Sequence, residues 1–421
     1  MRVLAINNNI LNFSGLYVKN KNPNAPIKEN SPKNIELRAN PADIFIAYKT
    51  KTPSEVKTSI KDFLAANERG VDFHINMLSS IQAGFEAAHK TTGEIYSNDD
   101  YIKTLIEQFS PKNVISFFEQ GSEFDLDGNL KKKITKNKDG SIQIDYFSPD
   151  GKIERTTKTD RRGEWLEVVE GLETEKDGTQ KIQKKYLFNL YENRLESYEE
   201  GIEISPLGDV KIQKEVNSKG VFSKSGIYFT VDEGVEISKD GTKTTAKSLY
   251  YKTKERKDEN GILIPSDITF VYKEGLVQKT DGSEEAAKSL VYKSINSKVF
   301  GNYKEGEKAF QNGTFTIQKE ASFNDDYNFE FYKEGIEKLP NGTETTSRQI
   351  TYKNGTPETY AIGAEFFPDG SEKQKCALSF ILGEIVYFED CTKNGEGKIQ
   401  AAAKILQNTK QGWKNVSDVL I

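Results

Sequence analysis

The chain reads as mainly β (α+β overall), an antiparallel β-hairpin repeat array forming an extended or rolled meander. Three observations predict this. A glycine-containing aromatic motif recurs in one register, an Asp-Gly or Asn-Gly turn signal follows it at nearly fixed distance, and alternating core residues follow each turn.

The motif runs aromatic or Val, two residues, Gly, one residue, usually Glu, three residues, Asp or Asn, Gly, then Ser, Thr or a polar stand-in. Its fullest copies open at Tyr332 and Tyr360, with turns at Asn341-Gly342 and Asp369-Gly370. Others open at Phe118, Val168, Tyr198, Val231, Tyr272 and Tyr303, so a unit is roughly thirty residues long. In the Tyr198 copy the turn has drifted to Leu207-Gly208-Asp209. The long interval after Phe118 holds Asp139-Gly140 and Asp150-Gly151, which marks a degenerate unit.

Asp-Gly and Asn-Gly favour the left-handed backbone of a tight hairpin turn. On the strand after each turn stand the pairs Tyr186/Phe188, Leu249/Tyr251, Leu290/Tyr292, Ile350/Tyr352 and Leu378/Phe380. A spacing of two puts each pair on one strand face, so these are the predicted repeat core. Ala321/Phe323 follows the same pattern.

The strand before the turn poses a problem. Its opening aromatic shares parity with a frequent Glu (Glu170, Glu200, Glu233, Glu274, Glu305, Glu334), and an acid on a buried face is costly. The adjoining glycine offers two escapes. It marks a β-bulge that re-aims the Glu, the favoured reading, or Glu-Gly is itself a reverse turn.

One unit cannot fold alone. Two or three core side chains contribute about 1.5–3 kcal/mol each on burial, whereas ordering its backbone costs about 1–2 kcal/mol per residue. Neighbouring units must supply the rest, and the end units need covers.

The ends supply helices as those covers. Residues 1–50 read as an extended arm or linker, and residues 51–110 as three helices. Thr52-Pro53-Ser54-Glu55 starts the first, with Val56, Ile60, Phe63 and Leu64 as its stripe. A second begins after Gly70, with Ile75, Leu78, Ile81 and Phe85. Ser97 and Asp100 cap a third, with Tyr101, Ile102, Leu105, Ile106 and Phe109. The array occupies residues 111–395. Residues 396–421 form a C-terminal helix and tail, on the spacing of Ile399, Ala402, Ala403 and Leu406.

Composition narrows the function classes. Hydrophobic residues make up 35% of 421, with 32 glycines. That apolar content lies a little under the usual range of about 45–50% and fits a chain with much surface. Lys and Arg number 59 against 64 Asp and Glu, for a net charge of −5. Nucleic acid is therefore not the expected partner, since phosphate binding needs a surplus of cations. No stretch is long and apolar enough for a membrane span, so no membrane insertion is expected. The start makes a poor secretory signal. The compartment is unknown, either cytoplasmic or reached by non-classical export.

Catalytic chemistry is sparse. His74 and His89, placed on one helix, lie about 22 Å apart along its axis and cannot share a metal. The recurring acids have Lys nearby (Lys273, Lys304, Lys333), which reads as cross-strand pairing on a wet face rather than a calcium ladder. No metal, cofactor or catalytic residue is assigned. Cys376 and Cys391 flank Gly383-Glu384 symmetrically. A two-residue type II′ hairpin there would place them opposite each other, roughly 5.5 Å apart at Cα, which permits a disulfide. The alternative is two reduced thiols on neighbouring strands.

With its Tyr, Gly and Asn-Gly or Asp-Gly turns, the array resembles bacterial β-hairpin repeats of the MORN and YD types. Its spacing from Tyr-x-x-Gly to the turn is longer, and the Gly-x-Gly ending of MORN units is absent. That resemblance implies scaffolding, attachment or encapsulation. The leading expectation is a non-enzymatic structural or interaction protein presenting a sheet surface to a protein or glycan partner. A carbohydrate-acting enzyme with carboxylates in a cleft between array and helices is the first alternative. A secreted effector or surface adhesin is the second.

Overall fold

The computed structural model describes residues 52–97, 104, 121–125, 127–192, 194–218, 226–257, 263–296, 298–381, 384–409 and 411–417. They form one helix of 44 residues, α1 (Ser54–Ser97), and 23 strands in a single antiparallel sheet. The first strands are β1 (Gly121–Phe124), β2 (Leu130–Lys136), β3 (Ile142–Phe147), β4 (Ile153–Thr159), β5 (Trp165–Glu170), β6 (Glu173–Thr174) and β7 (Gln180–Asn189). Next come β8 (Arg194–Ile204), β9 (Val210–Asn217), β10 (Ile227–Ile237), β11 (Lys243–Lys257), β12 (Leu263–Gln278), β13 (Glu284–Ile295) and β14 (Lys298–Ala309). Then follow β15 (Phe315–Phe323), β16 (Phe329–Lys338), β17 (Glu344–Lys353), β18 (Thr356–Phe366) and β19 (Glu372–Ile381). The last are β20 (Glu384–Lys393), β21 (Ile399–Ala401), β22 (Lys404–Thr409) and β23 (Gly412–Asn415). Successive strands pair as a meander. β5 and β6 share the partner β7, and β21 and β22 share β20. Among the described residues β1 pairs only with β2 and β23 only with β22, so the sheet is not closed.

The chain divides into two compact units. One holds residues 1–85, 256–267 and 287–421, and the other residues 86–255 and 268–286.

Two helix expectations change. The break after Gly70 is absent, because α1 runs through it. A mid-helix glycine costs only about 1 kcal/mol, and the buried residues around it outweigh that. A Cβ on Gly70 would lie 3.5 Å from Cδ1 of Tyr332, so the helix lies close on the sheet there. The expected third helix falls outside the described residues apart from Thr104, as does the arm at 1–50. The expected C-terminal helix is overturned: residues 399–415 are β21, β22 and β23. An alanine-rich run with helical spacing yields to the exposed edge of β20. Tyr387 pairs with Leu406 there and Phe388 with Ile405, which buries both aliphatics. The array therefore continues to Asn415 and not to 395.

The turns explain the Asp/Asn-Gly-Ser/Thr signature. At Asn341 the Leu339 carbonyl accepts from Gly342 N–H, and Leu339 N–H donates to Thr343 O. Only the glycine is left-handed, with φ 88°. This is a type I turn closed by a glycine bulge, a three-residue hairpin loop. The Asx oxygen also caps the turn: Oδ1 of Asp177, Asp240, Asp281, Asn312, Asn341 and Asp369 accepts the backbone N–H two residues on, at 2.8–3.0 Å.

Neither escape offered for the motif glycine is what the strands do. φ is 58–63° at Gly171, Gly201, Gly234, Gly275, Gly306, Gly335 and Gly363. Register is nonetheless unbroken across Gly201, Gly234, Gly306, Gly335 and Gly363; at Gly335, for example, Glu334 faces Lys319 and Ile336 faces Ile317. The strand instead turns a corner. Lys304 and Glu307 flank Gly306 and pair at 2.5 Å, although three residues along a straight strand would place them about 10 Å apart on opposite faces. Lys243 likewise reaches back to Asp232 at 2.9 Å. Ala361 and Ala364 meet across Gly363 in one buried cluster with Ala377.

Of the core positions read from sequence, Tyr186, Phe188, Leu249, Tyr251, Leu290, Tyr292, Ile350, Tyr352 and Leu378 are each at most 8% exposed. Phe380 is half-buried, its ring 4.9 Å from Phe63.

Candidate functional site

The recurrent Glu stays on the aromatic face and is satisfied there. In the motif Tyr-x-Glu-Gly the Tyr hydroxyl donates to the Glu two residues on: Tyr332 to Glu334 at 2.9 Å, Tyr303 to Glu305 and Tyr272 to Glu274 at 3.0 Å, and Tyr198 to Glu200. Same-face parity at a spacing of two makes this contact available wherever the motif recurs. Across strands the same acids alternate with cations. Glu305, Lys319, Glu334 and Arg348 lie in one row, as do Arg155, Glu170, Lys184, Glu200, Lys214, Glu233 and Lys247. Lys–Glu pairing was expected on a wet face, and it occurs there, as between Lys211 and Glu236 at 3.6 Å. It occurs on the core-bearing face as well, where Glu334 is 8% and Lys214 4% exposed.

In the first unit α1 reads this row. Arg69 forks onto Glu334, with Nε–Oε1 at 2.7 Å and Nη2–Oε2 at 2.9 Å, and Asn76 Nδ2 donates to Glu305 at 3.1 Å. Glu55 pairs with Lys404. Phe73 fits between Tyr303 and Tyr332, at 4.9 and 5.3 Å. Burial alone would raise the Glu334 carboxyl, but the Arg69 guanidinium and Tyr332 hydroxyl outweigh it and hold it below the usual range. Seven helical residues rise about 10.5 Å, and a two-strand hairpin advances about 9.6 Å. Arg69 and Asn76, seven apart, accordingly meet Glu334 and Glu305, two strands apart. In the second unit Glu94 of α1 meets Lys214.

His74 also belongs to the first unit's seam. It is buried, its Nε2 lies 2.8 Å from the Tyr327 carbonyl, and Nδ1 has no partner. Burial pushes its pKa down and the Tyr327 contact only partly opposes this, so the folded ring stays neutral and Nε2–H donates. The unfolded chain takes up a proton below about pH 6.5 while the folded one does not. Stability should therefore fall as pH drops from about 6.5 toward the folded value, by at most about 1.4 kcal/mol per pH unit. Urea unfolding at pH 7.5 and 5.5 checks this against His74→Gln, which keeps a donor but cannot titrate. The same acid loss in both proteins would assign it elsewhere. His89 is exposed on the same helix.

The opposite parity carries a different row in the second unit. Lys185, Glu199, Glu215 and Asp232 face one another on β7, β8, β9 and β10. Lys185 pairs with Glu167 at 3.6 Å, and Lys243 bridges Glu215 and Asp232 at 3.7 and 2.9 Å. Burial first, then the charges of Glu215 and Glu167, raises the Glu199 carboxyl, with Lys185 opposing. Sequence reading singled out none of these three acids, because Glu199 and Glu215 lie outside the recurring motif. A half-buried acid with a raised pKa is the main chemical irregularity on this face. Two open cavities of about 440 and 660 Å³ lie in the same unit and share Tyr146, Ser148 and Glu154. Glu199 lines neither. In the second cavity Glu170 is already held by Arg155 at 3.0 Å.

The cysteines do not face each other. Ile381 pairs with Glu384 and Leu378 with Tyr387, so Cys376 lies opposite Glu389 and Cys391 opposite Gln374. The hairpin is offset by two residues from the one expected, a register that seats Leu378 and Tyr387, both at most 1% exposed, against each other. Both thiols are free, and Cys376 Sγ lies 3.6 Å from the Tyr387 hydroxyl. The described residues contain no group of three or more His, Cys, Asp or Glu placed to hold a metal. No helix among them is long and apolar enough to cross a membrane.

No family model matches the chain, and no curated protein matches it. Among solved structures it is similar to Porphyromonas gingivalis dipeptidyl peptidase 4, at 8% identity and a TM-score of 0.12 over 71% of this chain. The chain spans 60% of that protein's chain. At that TM-score the likeness carries no argument.

Proposed function

We propose that this chain is a structural or interaction protein whose repeat-built sheet presents ranks of side chains to a protein or glycan partner. The observation that carries this reading is one meander in which equivalent residues recur on strand after strand, as in the exposed row Lys181, Glu203, Lys211 and Glu236. Such rows suit extended partners, because contacts repeat at strand spacing. The raised Glu199 carboxyl beside Glu215 is the one observation that favours hydrolysis instead.

Arrays of peptides and of glycans, probed with the full chain, test the proposal. Saturable retention of at least one class, with the ligand recovered intact by mass spectrometry, is the expected result. Absence of retention on both arrays would defeat it. Release of shortened oligosaccharides that stops in Glu199→Gln would replace it with the enzyme reading.

A further inference from the structure

The turns of the array differ at one position in a way that folding does not require. Their first residue is usually polar and caps the loop. Ser148 Oγ donates to the Lys152 carbonyl at 3.0 Å, Ser238 Oγ to the Thr242 carbonyl at 3.1 Å, and Asn137 Nδ2 to Ser141 Oγ at 2.9 Å. In three alternate hairpins of the first unit, β14–β15, β16–β17 and β18–β19, that position is Phe310, Leu339 and Phe367. Phe310 is 46% and Leu339 36% exposed, and Phe367 is half-buried. The capping bond is given up and the apolar group is not fully buried in exchange. Phe315, on the strand that leaves the first of these turns, is 42% exposed beside them.

These turns stand side by side. A Cβ on Gly313 would lie 3.6 Å from Cγ of Pro340, and one on Gly342 3.3 Å from Cγ of Pro368. Successive tips are therefore about 9.6 Å apart, the spacing of two strands. The first two are also uncharged where sister turns are not, and the third carries only Asp369, whose Oδ1 caps the turn. Phe310 to Phe315 and Leu339 to Thr343 contain no ionisable residue, whereas the turns at Asp139, Asp177, Asp240 and Asp281 each carry an acid with a lysine. Asn312 and Asn341 use Oδ1 to cap the turn. Their Nδ2 groups make no hydrogen bond among the described residues and remain available as donors.

We infer that this rim is a binding site for a neutral, extended polysaccharide. The rings of Phe310, Phe315 and Phe367 can stack on the apolar faces of pyranose rings, with Leu339 as an aliphatic contact at the middle tip. Amide donors between them meet hydroxyls, and the tip spacing is close to one disaccharide of a β-linked chain. A charged glycan or an acidic peptide would find no counter-ion on the two uncharged tips, and desolvating its charges there would be uncompensated. The inference rests on the interaction reading above and names the ligand class for one edge of the array.

Affinity electrophoresis of the full chain in gels carrying laminarin, hydroxyethyl cellulose or xylan, with alginate as the anionic control, tests it. The expected result is retardation by at least one neutral glycan and none by alginate. Retardation should weaken about tenfold in the Phe310→Ser/Phe367→Ser variant. Serine is the residue that Ser148 and Ser238 already supply at that position, so the variant should melt with the wild type. Leu339→Ser provides a second, independent lesion. Unchanged retardation in both variants, or retardation by alginate alone, would overturn the site. Absence of glycan retardation combined with saturable peptide binding would overturn this inference and leave the interaction reading standing.

Discussion

Arg69→Leu is expected to lower stability by about 2–3 kcal/mol, because it strips the Glu334 carboxylate of a two-point partner on the buried side of the sheet. Removing one member of a fully buried pair costs about 3–5 kcal/mol. The lower figure reflects an Arg69 side chain that is 41% exposed and so partly screened. Arg348, at 3.6 Å, and the Tyr332 hydroxyl remain and soften the loss. The effect should depend on pH. In the native protein the Glu334 carboxyl lies below its ordinary value, so its contribution is present above the unfolded carboxylate pKa and is lost as pH falls through the folded one. Without Arg69 burial is left to raise the carboxyl, and acid destabilisation should begin at higher pH. Denaturant unfolding between pH 7 and 4 measures both effects. Glu334→Gln placed on Arg69→Leu should recover part of the loss, since an amide needs no counter-ion. A double variant no more stable than Arg69→Leu would show that the charge is not what matters.

Gly301→Ala should cost about 3 kcal/mol or more, at the upper end of overpacking effects. Its Cβ would fall 2.3 Å from the Val291 carbonyl oxygen and 2.3 Å from Cζ of Phe323. The first obstacle is backbone and cannot swing away, and the second is a fully buried ring. Gly301 pairs with Phe323 inside β14, where a strand glycine signals a close approach of neighbours. Thermal unfolding of Gly301→Ala beside Gly151→Ala provides the comparison. Gly151 has φ 80° but open space around its Cβ, so its penalty is backbone strain alone. A Gly301→Ala loss no larger than that of Gly151→Ala would refute the steric account.

The repeat was legible because its signals are local. Asp-Gly and Asn-Gly sit within one hairpin, and the spacing between Tyr251 and Leu249, or Tyr352 and Ile350, depends only on strand alternation. The acid on the buried face was legible as a puzzle and not as an answer. The Tyr332 hydroxyl is near in sequence, but Arg69 arrives from 265 residues away. The corner at Gly335 was missed because a left-handed residue ordinarily signals a bulge or turn, and here the ladder resumes in register beyond it. The tail failed differently. Ala401, Ala402 and Ala403 favour a helix intrinsically, and only the waiting edge of β20 decides otherwise. The Glu199 row could not be found by motif, since each member is ordinary alone. Cross-strand register makes it, and register depends on the turns.

The match between one heptad of α1 and one hairpin of the sheet restricts how such a chain can change size. A duplicated hairpin inserted in the first unit would slide Glu334 one period away from Arg69 unless seven residues were gained in the helix as well. Insertions and deletions compatible with the seam thus come in coupled increments at two distant places in the gene, and the helix serves as the gauge that counts the hairpins.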